Sequence, residues 1–126
     1  MAKETLQQIA KRLVAKKKGV LAADESTGTM GRRLESINVS STEENRRAWR
    51  ELLFTTEEIG QYISGVILYD ETIRQQARTG ATFVDVLNQS GVGVGIKVDA
   101  GTVPLPGSPD ELITEGLDGL RQRLNE

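Results

Sequence analysis

Three short apolar runs, Val20 to Ala23, Tyr62 to Tyr69 and Gly91 to Val98, constrain this chain more than any other feature, and each meets an acid at its C-terminal end: Asp24, Asp70 and Asp99. Runs this short and continuous read as buried strands. Segments of helical pattern lie between them, and alternation of strand and helix calls for parallel pairing through right-handed crossovers. In a parallel sheet the strand C-termini share one side, so the three acids and Lys97 are expected to converge there. Three parallel strands leave both outer edges unpaired. A complete (β/α)8 barrel takes eight such units in roughly 250 residues. The expected class is therefore α/β, of the TIM (β/α)8 barrel type, with the first three βα units after an N-terminal helix.

Leu6, Ile9, Ala10, Leu13 and Val14 share one helical face, with Lys16, Lys17 and Lys18 at its C-terminal end and Gly19 as the stop. After the turn from Asp24 to Gly28, Met30, Leu34 and Ile37 share a second helical face. Ser41 and Glu44 have capping-box spacing, and Ala48, Trp49, Leu52 and Leu53 continue a helix to about Phe54. Thr72 to Arg78 reads as helix ending at Gly80, and Phe83, Val84 and Leu87 as a further short turn. Val103 to Gly107 reads as a loop, because its two prolines cannot join a ladder. Ser108-Pro109-Asp110-Glu111 has the order of a helix start, and Leu117, Leu120 and Leu124 suggest a firmer helix beyond it.

Composition narrows the function. At 126 residues the chain is one domain at most, and a net charge of −2 gives no bulk attraction to nucleic acid or acidic lipid. The five aromatic residues are too scattered for a base-stacking surface. Cysteine is absent, which excludes a disulfide framework and thiolate metal sites. Histidine is absent too, so the commonest metal ligand and the commonest general base are both missing. Catalysis would have to use Asp, Glu, Lys, Tyr or hydroxyl groups. No apolar run approaches a membrane span of about 18 residues, and Met1-Ala2-Lys3-Glu4 lacks the apolar core of a signal peptide. A cytoplasmic protein with no nucleic-acid or membrane partner is the expectation.

Three groups of residues could carry chemistry. Asp24 and Glu25 end the first strand; they are either simple turn residues or rigidly held carboxylates for proton transfer or for orienting an amine. Ser26, Thr27, Gly28, Thr29, Arg32 and Arg33 surround a helix start, where hydroxyls and guanidinium groups suit a phosphate oxyanion, or serve as an N-cap and two surface arginines. Lys97 lies in an apolar stretch. Its ammonium either snorkels to water or has its pKa lowered by burial and acts as a nucleophile, even as a Schiff-base former. Gly91, Gly93 and Gly95 resemble a dinucleotide fingerprint, but Ile96 occupies the last glycine position and the run enters a strand instead of leaving one. They read as close backbone packing.

Four blocks then fall together: Lys18 to Gly28, Thr42 to Arg47, Gly65 to Leu68, and Gly95 to Asp99 followed by Val103-Pro104-Leu105. In this order they closely resemble class I fructose-bisphosphate aldolase, in register from the first helix to Leu120. The resemblance covers nearly all of the chain and about the first third of the family's barrel, so residues 1–126 are expected to be the N-terminal part of a single barrel domain. It implies reversible cleavage of fructose 1,6-bisphosphate to dihydroxyacetone phosphate and glyceraldehyde 3-phosphate through a lysine Schiff base, with no metal and no cofactor. It implies a phosphorylated sugar as partner, and a family that is usually homotetrameric.

By the same resemblance Asp24 matches the strand-end aspartate that assists proton transfer. Lys97 matches an accessory active-site lysine, which displaces the Schiff-base reading, since that lysine lies on a later strand. Ser26 and Arg33 match residues that contact substrate phosphate, with Glu25 beside them, and Arg46 matches an arginine linked with substrate binding. Thr29 stands where serine is frequent and keeps the hydroxyl, while Gly31 replaces a side chain and weakens the helix start. The competing expectations are a phosphoacceptor signalling domain, which needs five strands where three are counted, and a non-catalytic, aldolase-derived binding module.

Overall fold

A computed structural model describes residues 4–126. The reading of Met1, Ala2 and Lys3 lies outside the described residues. Two compact units follow one another along the chain, the first ending at Ile96 and the second running Lys97–Glu126.

The first unit contains α1 (Leu6–Leu13), β1 (Gly19–Ala23), α2 (Thr27–Glu35), α3 (Glu43–Phe54), α4 (Ile59–Tyr62), β2 (Ile63–Leu68), α5 (Asp70–Ile73), α6 (Phe83–Gln89) and β3 (Gly93–Ile96). The strands form a parallel sheet in the order β1-β2-β3, with Ala23 opposite Leu68 and Leu68 opposite Ile96. Val66 and Leu68, alternate residues of β2, enter the core with Phe54 of α3 and with Phe83 and Leu87 of α6. Phe54 and Phe83 meet edge to face at 5.2 Å and 83°, a favoured aromatic geometry. Parallel pairing and alternation with helices are as the apolar runs required. Burial of the first run is not: β1 has a single neighbour, only Ala23 is buried, and Val20 is 50% exposed.

Several boundaries differ from the sequence reading, each for a physical reason. Helix α1 opens with a capping box, the Thr5 hydroxyl accepting from the Gln8 N–H and Gln8 Oε1 accepting from the Thr5 N–H. It stops at Leu13, so Lys16–Lys18 lie beyond it. Lys17, not Gly19, takes the left-handed conformation (φ 64°), Gly19 opens β1, and Lys18 donates to the Gly60 carbonyl. The N-cap of α3 is Thr42, one residue after Ser41, its hydroxyl accepting from the Asn45 N–H at 3.1 Å. Ala48 and Leu52 point to solvent, and the buried stripe of α3 is Arg46, Arg50 and Phe54. Two arginines occupy the inner face, with Leu53 partly buried against the core beside it, so Ala48 and Leu52 fall on the outer one. Ile37 is likewise outside α2 and exposed, while Met30 and Leu34 are buried. The helix expected over Thr72 to Arg78 is one turn, after which Gln76 bridges Thr82.

Glycine at two positions admits α1 to the sheet. A Cβ on Gly65 would come 2.5 Å from the Leu13 side chain, and one on Gly93 2.7 Å from Arg12. The Ser64 hydroxyl donates to the Leu13 carbonyl at 2.6 Å at the same junction. Close packing therefore holds for Gly93, whereas Gly91 supplies a positive φ of 70° after α6 and Gly95 has ordinary contacts. Gly31 lies in the middle of α2, which continues through it, and a Cβ there would approach the Ser41 hydroxyl to 3.3 Å.

The second unit contains β4 (Gly101–Leu105), β5 (Ser108–Glu115) and the short α7 (Leu120–Arg123). The expected loop and helix start are an antiparallel hairpin, with Pro104 opposite Leu112. A two-stranded ribbon has two edges, and edges are where proline is tolerated in a sheet. Gly107 (φ 81°) turns the chain there. Arg123 closes the unit on itself, donating to the carbonyls of Val98 and Gly116 at 3.2 and 2.6 Å. The described residues thus give five strands, of which three form the parallel sheet.

Candidate active site

Asp24 follows the last residue of β1, a position that parallel pairing with β2 fixes at the C-terminal edge of the sheet. It is half-buried. Glu25 and Ser26 continue from it into α2. The Ser26 hydroxyl is the N-cap, accepting from the Thr29 N–H at 3.3 Å and donating to Thr29 Oγ1 at 3.2 Å. Arg32 Nη2 donates to the same threonine oxygen at 3.3 Å, so the hydroxyl retained by Thr29 is in use. Two turns along α2, Arg33 pairs with the Glu25 carboxylate. The arginine side chain is 59% exposed and the glutamate 13%.

The residue that holds this segment from inside is Arg50 of α3, which the sequence reading missed. It is 1% exposed. Its Nη2 donates to the Glu25 backbone carbonyl at 2.8 Å and reaches Glu25 Oε2 at 3.5 Å. Burial pushes the Arg50 guanidinium below its ordinary pKa, opposed by the negative charges of Glu25, Glu71 and Asp24 and reinforced by the positive charge of Arg46. One helical turn earlier, Arg46 makes a bidentate pair with Glu71 at 2.8 and 2.6 Å and donates to the Ser41 carbonyl at 2.7 Å. The hydrogen bond to Arg46 holds the Glu71 carboxyl below its usual range against an opposing effect of burial. Spacing of i, i+4, i+8 connects Arg46 and Arg50 to Phe54, and that was the one signal in the sequence.

The acid that faces these arginines after β2 is Glu71, not Asp70. Asp70 is exposed and bonds Arg74 at 2.9 Å along the next turn. Of the two strand-end acids in the first unit, Asp24 acts on the buried Arg50 through its negative charge, while Asp70 is engaged with Arg74. Lys97 and Asp99 belong to the second unit, where Lys97 Nζ pairs with Asp99 Oδ2 at 2.5 Å and Asp99 also accepts from the Gly101 N–H. The Lys97 ammonium holds the Asp99 carboxyl below its usual range. Among the described residues no cluster of three or more metal-ligating side chains occurs. No described helix is long and apolar enough to cross a membrane.

Residues 5–126 match the family model described as Glycolytic: Fructose-bisphosphate aldolase class-I. The chain belongs to the class I fructose-bisphosphate aldolase family. It is 52% identical over 126 residues to the probable fructose-bisphosphate aldolase class 1 of Xylella fastidiosa, covering all of this chain and 38% of that protein. It is 62% identical over 106 residues to the cytoplasmic isozyme of Cicer arietinum, covering 84% of this chain and 30% of that protein. Among solved structures it is similar to the aldolase of Plasmodium falciparum, determined in complex with TRAP and a small-molecule inhibitor. That likeness has a TM-score of 0.87 at 45% identity and covers 91% of this chain and 33% of that one. The chain thus spans 38% or less of the length of these aldolases, corresponding to their N-terminal part. Its parallel strands and alternating helices are the opening βα units of the aldolase barrel.

Proposed function

We propose that these residues supply the first part of a cytoplasmic class I aldolase that reversibly cleaves fructose 1,6-bisphosphate to dihydroxyacetone phosphate and glyceraldehyde 3-phosphate. In this reading Asp24 moves protons at the reacting carbons, and Lys97 is the accessory lysine of the site. Ser26 and Arg33 meet a substrate phosphate, Arg46 stands on the substrate-binding side, and the protein assembles as a homotetramer. The observation that carries it is the placement of Asp24 at the end of a parallel strand, immediately before a helix that Ser26 caps. A strand fixes a carboxylate within the narrow tolerance that proton transfer needs. Strand order also favours a barrel: consecutive strands are neighbours, β1-β2-β3, whereas the doubly wound order of a phosphoacceptor domain puts the first strand inside.

A polypeptide of these 126 residues by themselves lacks the later-strand lysine that family resemblance requires as nucleophile. Incubated with dihydroxyacetone phosphate and borohydride, it is expected to form no covalent adduct. Mass spectrometry showing a reduced adduct on Lys97 would overturn the assignment of Lys97 as accessory. In the complete barrel, Asp24→Asn is expected to abolish most of the cleavage activity. Near-normal turnover of that variant would remove Asp24 from the mechanism.

A further inference from the structure

We infer that Glu25 is a positioning residue, held from inside by Arg50, whose carboxylate orients Arg33 toward a phosphate of the substrate. The inference rests on the proposed role of Arg33 as a phosphate ligand and adds the element that makes such a ligand effective. A carboxylate accepts hydrogen bonds and donates none, so Glu25 reaches a phosphate only through a donor that it holds. The donor in its grip is Arg33. On the other side of the same carboxylate, Arg50 is fully buried and bonds both the Glu25 carbonyl and, more distantly, its Oε2. The three side chains therefore grade outward in exposure, from 1% at Arg50 through 13% at Glu25 to 59% at Arg33.

That gradient is the physical content of the inference. An exposed arginine loses much rotamer freedom when it is fixed on a ligand. A carboxylate anchored on the protein side removes part of that loss in advance, which is preorganisation. Among the described residues Glu25 is the partner recorded for Arg33, through Nη1. The guanidinium has five N–H donors in a fork, so a second anion can be taken while Glu25 keeps its own bond. The alternative is competition, in which Glu25 must release Arg33 before phosphate can bind. Anchoring by Arg50, firm at the Glu25 carbonyl and aided by its charge 3.5 Å from Oε2, favours orientation, because the Glu25 side chain is largely enclosed and Arg33 has the room to swing.

The two mechanisms differ in sign. The test uses the complete barrel enzyme and the variants Glu25→Gln, Arg33→Ala and the double variant, with kcat and KM measured for fructose 1,6-bisphosphate. Orientation predicts that Glu25→Gln raises KM by about threefold to tenfold, the equivalent of freeing one rotamer-rich side chain, while kcat stays within about twofold. In the Arg33→Ala background the same change is expected to leave KM unaltered, because Glu25 then has nothing to orient. A lowered KM for Glu25→Gln would establish competition and overturn the inference. So would an equal rise in both backgrounds, which marks a purely structural carboxylate. Should Glu25→Gln fold poorly, Glu25→Asp carries the same cycle with a smaller rise. Arg33→Ala without effect on KM overturns the phosphate reading itself, and the inference with it; Arg33→Ala effective with Glu25→Gln additive or inert overturns the inference alone.

Discussion

Replacing Arg50 by methionine is expected to destabilise the chain by about 2 kcal/mol, a figure that follows from what each group at the Arg50–Glu25 contact gains and loses. The arginine gives up a charge-assisted hydrogen bond of 2.8 Å to the Glu25 carbonyl, of the class that contributes about 1.5–3 kcal/mol. Against this, the buried Arg50 Nε has no partner among the described residues, and removing it recovers a desolvation cost of about 1–3 kcal/mol. Those two effects nearly cancel. What remains is the Glu25 carboxylate, 13% exposed, which loses its inner counter-charge. Breaking a fully buried pair costs about 3–5 kcal/mol, but Glu25 keeps Arg33 on its outer side, so the loss falls below that range. Urea denaturation followed by the single tryptophan, Trp49, next to Arg50 on α3, reads it directly. With a slope of about 1–1.5 kcal/mol/M, the midpoint should move down by about 1.5 M at unchanged slope. The double variant Arg50→Met/Glu25→Gln should lose less than the single one, since the stranded charge is gone as well. A single variant as stable as the parent would refute this reasoning: Arg50 would then be carried for the site and not for the fold.

Two further outcomes are expected. Gly60→Ala drives a Cβ into the Ser90 carbonyl oxygen, a backbone atom, and should cost about 1–3 kcal/mol, whereas the one close contact of a Cβ at Gly65 is the end of the Leu13 side chain at 2.5 Å, so Gly65→Ala should cost less than about 1 kcal/mol; thermal melting of both variants checks the order, and equal losses would contradict it. Glu71, its pKa depressed by Arg46, contributes stability that is complete above the unfolded value of about 4.3 and is lost as pH falls through the lower folded value; the stability gap between the parent and Glu71→Gln should therefore shrink on acidification below about pH 4, and a gap that stays constant from neutral pH to pH 3 would show that Arg46 does not depress Glu71.

How much of this was legible in the sequence depends on which physical signal each element carries. The parallel sheet was legible, because continuous apolar runs separated by helical pattern admit few topologies. The hairpin over β4 and β5 was not, since two prolines argue against a ladder and only a ribbon with open edges accommodates them. At the site, Asp24, Ser26 and Arg33 stood out because a strand end, a hydroxyl and a helix start coincide within a few residues. Arg46 was reached by resemblance alone. Glu71 left no trace and Arg50 left only its helical spacing with Arg46 and Phe54, and the reason is common to both. Buried ion pairs are made between elements distant in sequence, here 25 residues apart for Arg46–Glu71 and for Arg50–Glu25, and apolar periodicity treats a charged residue as a mark of the outer face.

The face of α3 shows why that failure has functional meaning. An ordinary amphipathic helix in this position would present Leu52 and Ala48 to the sheet, and the chain has those residues ready on the same helix. It exposes them instead, leaving Leu52 64% accessible, and turns Arg46 and Arg50 inward. Burying two guanidinium groups is costly even when they are paired, and apolar side chains of similar volume would hold a helix to a sheet at least as well. Helix packing alone therefore does not account for the choice. What the arginines do, which leucines could not, is hold carboxylates and a carbonyl at the C-terminal edge of the sheet: Glu71 after β2, and Glu25 beside Asp24 after β1. That edge is where barrel enzymes of this architecture carry out their chemistry. The polar inner face of α3 thus fixes Glu71 and Glu25 at that edge, and Leu52 lies on the opposite, outer face of the helix.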